Sequence, residues 1–323
     1  QSKLLELSSV PMALYMILVL LGIFGNAIVI SVVGESILRE PGGGRNSDMI
    51  LVNMAFSNLM VSMTRNMLLV ISDTGLEVLP GKDWCQILMG VWVWLRSVNV
   101  WSTFFLSAFH FHTLRRTAPP ITSLSGPRGL PRGILTGFGL IWSSNLLYSV
   151  PAFIYSTSGG KNATETLMLV SSTTRPLLGC LWDFPSVYSG LAFATTSMVI
   201  HEIIPIVLMS VTNLGSLLTL YAHERAQMAL FSLSGHINYI NFSLIFFCIS
   251  PLQVILALIL LFIVSWGASV ISVNYFNYNR GASSTYLLVL ARFFNSLFIA
   301  LSPLILAVGH RRLRQFFKSI ISH

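Results

Sequence analysis

Four ionisable side chains sit deep inside apolar stretches of this sequence: Arg65, Arg96, Glu202 and Arg292. Each costs about 2.5–3.5 kcal/mol to insert at the centre of a membrane helix, so such groups face a protein interior and pair there or meet a ligand. Three cations against one anion leave an excess of buried positive charge. The arginine fork matches a carboxylate or sulfate in bidentate fashion. The chemistry implied is recognition of an anion, with Glu202 left to receive a hydroxyl or a cationic group at the far end. Catalysis is not indicated, because the sequence has no Walker loop, no HExxH, no serine nucleophile elbow and no paired carboxylates within one apolar stretch. Its three cysteines, Cys85, Cys180 and Cys248, lack metal-ligand spacing, and neither a metal nor a cofactor is expected.

Helical phase gives these residues a common direction. Arg65 follows Asn58 by seven positions, two turns along the same face. Arg96 shares a face with Trp92, Asn99 and Thr103, and lies about 16 Å into its helix from Cys85 at 1.5 Å per residue. Arg292 lies on a face with Asn295 and Ser296, and Glu202 precedes Pro205 with His201 beside it. The candidate binding set is therefore Arg65, Trp92, Arg96, Asn99, His201, Glu202 and Arg292, converging on one cavity. The competing reading is structural: Glu202 bridges one arginine while the others bond backbone carbonyls. His201 taken alone reads as a hydrogen-bonded interior residue, and Trp94 and Trp101 as packing or interface anchors.

The elements that must position these groups are membrane helices. Hydrophobic residues make up 54% of the 323 and charged residues 9%, too little charge to coat a globule in water. The net charge of +8 is gathered in short clusters between apolar runs, the pattern of a basic cytoplasmic face rather than of a nucleic-acid binder. A bilayer core of about 30 Å needs roughly 20 apolar residues in a helix. Spans are expected at Val10–Val33, Asp48–Ile71, Gln86–His112, Arg132–Ile154, Ser189–Tyr221 and Ser284–Val308, with one more in the uncharged stretch between Arg225 and Arg280. With seven spans and the N-terminus outside, the inner segments hold Arg39, Arg45, Arg115, Arg116, Arg128, Arg132, Arg225, Arg311, Arg312, Arg314 and Lys318. The outer ones hold only Lys3, Lys82, Lys161, Arg175 and Arg280, as the positive-inside tendency requires. Asn162-Ala163-Thr164 is a glycosylation acceptor in a loop placed outside. Cys85 and Cys180 fall on that same side, where an oxidising compartment would let them bridge the loop to the third helix. A second acceptor, Asn241-Phe242-Ser243, falls inside and is expected to stay unused.

In this order the motifs resemble those of rhodopsin-like G-protein-coupled receptors. Gly25-Asn26 resembles the GN pair of helix one. Asn53-Met54-Ala55-Phe56-Ser57-Asn58-Leu59 resembles the NLxxAD motif, with Asn58 where an Asp usually sits. Trp142 with Pro151, then Pro205, mark helices four and five. Ser302-Pro303-Leu304-Ile305-Leu306 resembles NPxxY without its tyrosine, and His310 to Lys318 resembles the amphipathic eighth helix. Phe109-His110-Phe111 stands where a DRY motif should be. Together with Cys85-Gln86-Ile87-Leu88-Met89 and His201-Glu202-Ile203-Ile204-Pro205, these departures resemble vomeronasal receptors of the first type and their fish counterparts, the olfactory receptors related to class A.

The resemblance implies an all-α membrane protein: a seven-transmembrane helix bundle with a short amphipathic eighth helix, forming a single receptor domain over residues 1–323. It also implies a pheromone or odorant ligand, an inhibitory-type heterotrimeric G protein near His110, Arg115 and Arg116, and the plasma membrane of sensory neurons. The basic eighth helix is expected to lie on anionic lipid. Residues 228–251 depart from the family pattern; they form either the start of a long helix six bent at Pro251 or a stretch foreign to the receptor. Three rivals remain: a bitter-taste-type receptor, expected to lack the Cys85/Cys180 pair, a non-functional receptor-like product, given residues 228–251, and a transporter using the buried charges as a path. Transporters commonly carry internal repeats, and none is found between the halves.

Overall fold

The structure, a computed structural model, describes residues 2–39, 46–73, 81–116, 132–159, 171, 173–174, 178–234, 239–278 and 285–321. Among them run seven long helices and a short eighth. They are α1 (Ser2–Arg39), α2 (Asn46–Val61), α3 (Lys82–Arg116), α4 (Arg132–Ile154), α5 (Val187–Met198), α6 (Tyr239–Tyr278), α7 (Thr285–Gly309) and α8 (Arg311–Ile321). Two continue past those bounds through a single π turn. α2 passes through Ser62–Asn66 into Met67–Asp73, and α5 passes through Val199–Ile203 into Ile204–Ser234. Five of the described helices are long and apolar enough to cross a bilayer on composition alone. α4 and α3 are not among them; α3 is the axis of the bundle, touching α2, α4, α5 and α6. Its polar residues Arg96, Ser97, Asn99, Ser102 and Thr103 are buried against protein instead of lipid.

The helices pack where small residues let backbones approach. A Cβ at Gly25 would come within 2.8 Å of Pro303 on α7, and one at Gly90 within 2.3 Å of the Phe153 ring on α4. Gly90→Val is therefore expected to overpack the α3–α4 seam at a cost of about 1–3 kcal/mol and to cut the receptor reaching the cell surface. Phe153→Ala in the same chain should recover much of the loss. A double variant no better than Gly90→Val would show that the defect lies elsewhere. Polar ties add direction to the packing. Trp142 on α4 donates Nε1–H to Asn53 Oδ1 at 3.1 Å, and Asn53 Nδ2 donates to Ser102 Oγ at 2.9 Å. The expected α2 and α4 signatures thus meet across α3.

At one end of the bundle two short strands, β1 (Ser156–Ser158) and β2 (Cys180–Trp182), pair antiparallel with Ser156 opposite Trp182. Leu178 and Gly179 turn into β2 with positive φ, 51° and 77°. The disulfide between Cys85 and Cys180 pins this hairpin to the first turns of α3. At the opposite end His310, at the start of α8, lies 3.4 Å from Asp48 in the first turn of α2. α8 is amphipathic, with Leu313 buried and Arg311 exposed.

The expected spans fall within the helices, except that Ser284, the expected start of the last, lies outside the described residues; α4 has its expected bounds. α6 is a single helix of 40 residues that begins one residue before Ile240 and contains Pro251. At 1.5 Å per residue it measures about 60 Å, roughly twice a bilayer core. Asn162, the expected glycosylation site, lies outside the described residues.

Candidate functional site

Both π turns carry the charged residues that the sequence singled out. Ser62–Asn66 holds Arg65, and Val199–Ile203 holds His201 and Glu202. A π turn inserts one residue into the helix, and such bulges are frequent at functional sites. Arg65, Trp92, Arg96, Asn99, His201 and Glu202 are all 3% exposed or less.

The arginines are seated on indole rings. Arg65 Cζ lies 4.6 Å from the centroid of Trp92, and Arg96 Cζ lies 3.6 Å from that of Trp266 on α6. Because Trp92 and Arg96 are one turn apart on α3, the two stacks are neighbours. Arg65 and Glu202 are the charged groups whose fields act on Arg96. A desolvated guanidinium on an aromatic face gains about 2 kcal/mol or more, less than the full cost of burying its charge. Among the described residues, three donors at these stacks have no acceptor: Trp92 Nε1, Trp266 Nε1 and Arg96 Nε.

Arg96 Nη1 donates to Asn99 Oδ1 at 3.3 Å. Asn99 in turn donates Nδ2–H to Asn58 Oδ1 at 2.6 Å and to Ser57 Oγ at 3.1 Å. Asn99 is thus turned toward α2 and the arginine. Glu202 accepts the backbone N–H of Thr173 at 3.0 Å, so the loop before β2 reaches into the bundle. Trp182 Nε1 holds that loop by donating to Thr174 O at 2.9 Å. His201 belongs to an aromatic group on the α4 side. Its Nδ1 accepts from Trp101 Nε1 at 3.2 Å, and its ring lies edge-on to Tyr148 with centroids 4.5 Å apart.

Arg292 stacks on a third helix, α1. It is partly exposed, and its Cζ lies 4.0 Å from the Tyr15 ring on α1. Tyr15 donates to Asn66 Oδ1 at 3.2 Å, which links this arginine to the π turn of Arg65 through an intermediary. Sequence reading missed Trp266, Tyr15 and Thr173. Trp266 had a signal, as a lone indole in an apolar span; the other two had none. Toward the α8 end, His110 is buried and Arg115 exposed, near the close of α3.

Comparisons with known proteins agree with this architecture. A family model described as Taste receptor protein (TAS2R) matches residues 4–118, which span α1 to α3. The crystal structure of squid rhodopsin superposes with a TM-score of 0.68 at 15% identity, over 97% of this chain and 86% of that one. That likeness establishes the seven-helix fold. The olfactory receptor class A-like protein 4 of Danio rerio is 40% identical, over 98% of this chain and 91% of its own. The chain therefore belongs to the olfactory receptor class A-like family: it is a multi-pass G-protein-coupled receptor of the membrane, and not an enzyme.

Proposed function

We propose that this receptor detects a small organic acid, an odorant or pheromone-like metabolite, seated against Arg96 and Arg65 between α2, α3 and α6. The observation that carries this reading is the group of buried donors without acceptors, Trp92 Nε1, Trp266 Nε1 and Arg96 Nε, at two stacked guanidinium groups. An unpaired buried donor costs about 1–3 kcal/mol. A carboxylate is acceptor-only and would relieve these donors together with the charge. An amine would add donors where donors are in excess. The ligand's tail is the part that would reach His201 and the Thr173–Glu202 contact, and an aromatic or steroidal acid with a polar end suits that shape.

The ligand enters from outside, at the disulfide end where the N-terminus also lies, and the protein works in the sensory-cell plasma membrane. The G protein is of the inhibitory type and docks near His110, Arg115 and Arg116. A second reading, a bitter-taste-type receptor, is favoured by the family match over residues 4–118 and weakened by the Cys85–Cys180 bond. The test is guanine-nucleotide exchange on an inhibitory G protein in membranes carrying this chain. Carboxylic and sulfonic acids should drive exchange where amines and neutral bitter compounds do not. Exchange driven only by amines would sink the proposal, and exchange driven only by neutral compounds would favour the taste reading.

A further inference from the structure

The direct contacts of Arg96 are neutral. Among the described residues no carboxylate lies within ion-pair distance of it. One side of the guanidinium lies on the Trp266 indole, and Nη1 is taken by the amide oxygen of Asn99. Behind Asn99 stands a relay made only of amides, hydroxyls and backbone carbonyls. Asn58 Nδ2 donates to Asn26 Oδ1 and to Ser302 Oγ, each at 3.3 Å. Asn26 Nδ2 donates to Gly22 O at 2.7 Å and to Ile299 O at 3.0 Å. The two N–H bonds of Asn99 fix its side chain from behind, so its oxygen stays turned to Arg96. The relay is buried and crosses α1, α2, α3 and α7.

Resting on the anion-receptor reading above, we propose that Asn99, backed by Asn58, is a positioning residue: it seats Arg96 through neutral hydrogen bonds and so keeps the guanidinium charge for the ligand. An amide oxygen orients the fork but carries only a partial charge. A carboxylate at the same place would bind the fork roughly twice as strongly and cancel its charge. Asn99→Asp changes one group at nearly constant shape, and it would turn the seat into an internal ion pair. Asparagine rather than aspartate at 99 is thereby a determinant of anion specificity.

The test uses full-length receptor in lipid nanodiscs, with benzoate and benzamide as probes of matched shape and different charge. Thermal unfolding of Asn99→Asp is measured with Arg96 present and in an Arg96→Gln background. With Arg96 present the aspartate gains a partner, and Tm should rise or hold. In the Arg96→Gln background the same carboxylate is buried without a cation, and Tm should fall. Benzoate should raise the Tm of the unaltered receptor more than benzamide does, and that preference should weaken on the order of tenfold in concentration in Asn99→Asp. A purely structural Asn99 would give the same Tm shift in both backgrounds, and that result overturns the proposal. Sign reversal in Tm without any benzoate preference in the unaltered receptor would uphold the neutral seat and count against the anion-receptor reading instead. Should Asn99→Asp fail to reach the membrane, Asn58→Asp places the carboxylate one link further along. It carries the same expectation with a smaller shift, and equal Tm changes in both backgrounds would again be decisive against the seat.

Discussion

Arg96→Ala is expected to move the concentration–response curve for an acidic agonist by about a hundredfold or to abolish the response, with receptor at the cell surface largely preserved. The substitution removes the one guanidinium that both stacks on Trp266 and hydrogen-bonds Asn99. Losing a buried, charge-assisted hydrogen bond costs a few kcal/mol, and about 2.8 kcal/mol corresponds to a hundredfold in affinity. Arg96→Lys keeps the charge but neither the planar fork nor its stacking, so it should fall between the two. Arg292→Ala should weaken the response less, because Arg292 lies over Tyr15 and is partly exposed. Concentration–response curves normalised to surface-labelled receptor make the comparison. An Arg96→Ala curve that overlies the unaltered one would mean that the arginine has a structural role only.

Loss of the disulfide should have an effect as large, acting on the fold instead of the ligand. Cys85–Cys180 closes a loop with a sequence separation of 95. Removing a bridge of that kind typically costs about 2–5 kcal/mol, a large fraction of a domain's stability. Here the bridge also anchors β2, from which the chain is tied through Trp182 to Thr174, next to the Thr173 that Glu202 holds. Cys85→Ser and Cys180→Ser should each strip most receptor from the surface. The double variant should be no worse than either single one, since one bond is lost in all three. Surface biotinylation with and without prior reduction checks this, and single variants with normal delivery and normal responses would refute it.

Much of the fold was legible because membrane helices write themselves into composition. Arg132–Ile154 was bounded correctly because a basic residue opens the apolar run and Pro151 precedes its close. Cys85 and Cys180 were legible as a pair because charge bias had already placed both on one side. Helical phase pointed Arg65, Arg96, Glu202 and Arg292 inward, and the first three are buried while Arg292 is partly exposed. Phase names a face and not a partner, so it could not tell that Arg292 would meet Tyr15 or that Asn99 would serve Arg96. The π turns at Arg65 and Glu202 left no trace in the apolar pattern, since one extra residue shifts the period by less than the width of an apolar face. The Thr173–Glu202 contact joins an irregular loop to a helix, and no periodic signal reports such a pairing.

The most direct measurement compares an acidic agonist with its own methyl ester on the unaltered receptor and on Arg96→Gln, read as nucleotide exchange on the G protein. The acid should be about a hundredfold more potent than the ester on the unaltered receptor, and the two should converge on Arg96→Gln. An ester as potent as its acid on the unaltered receptor, or a preference for the acid that survives in Arg96→Gln, would contradict an anion site built on Arg96.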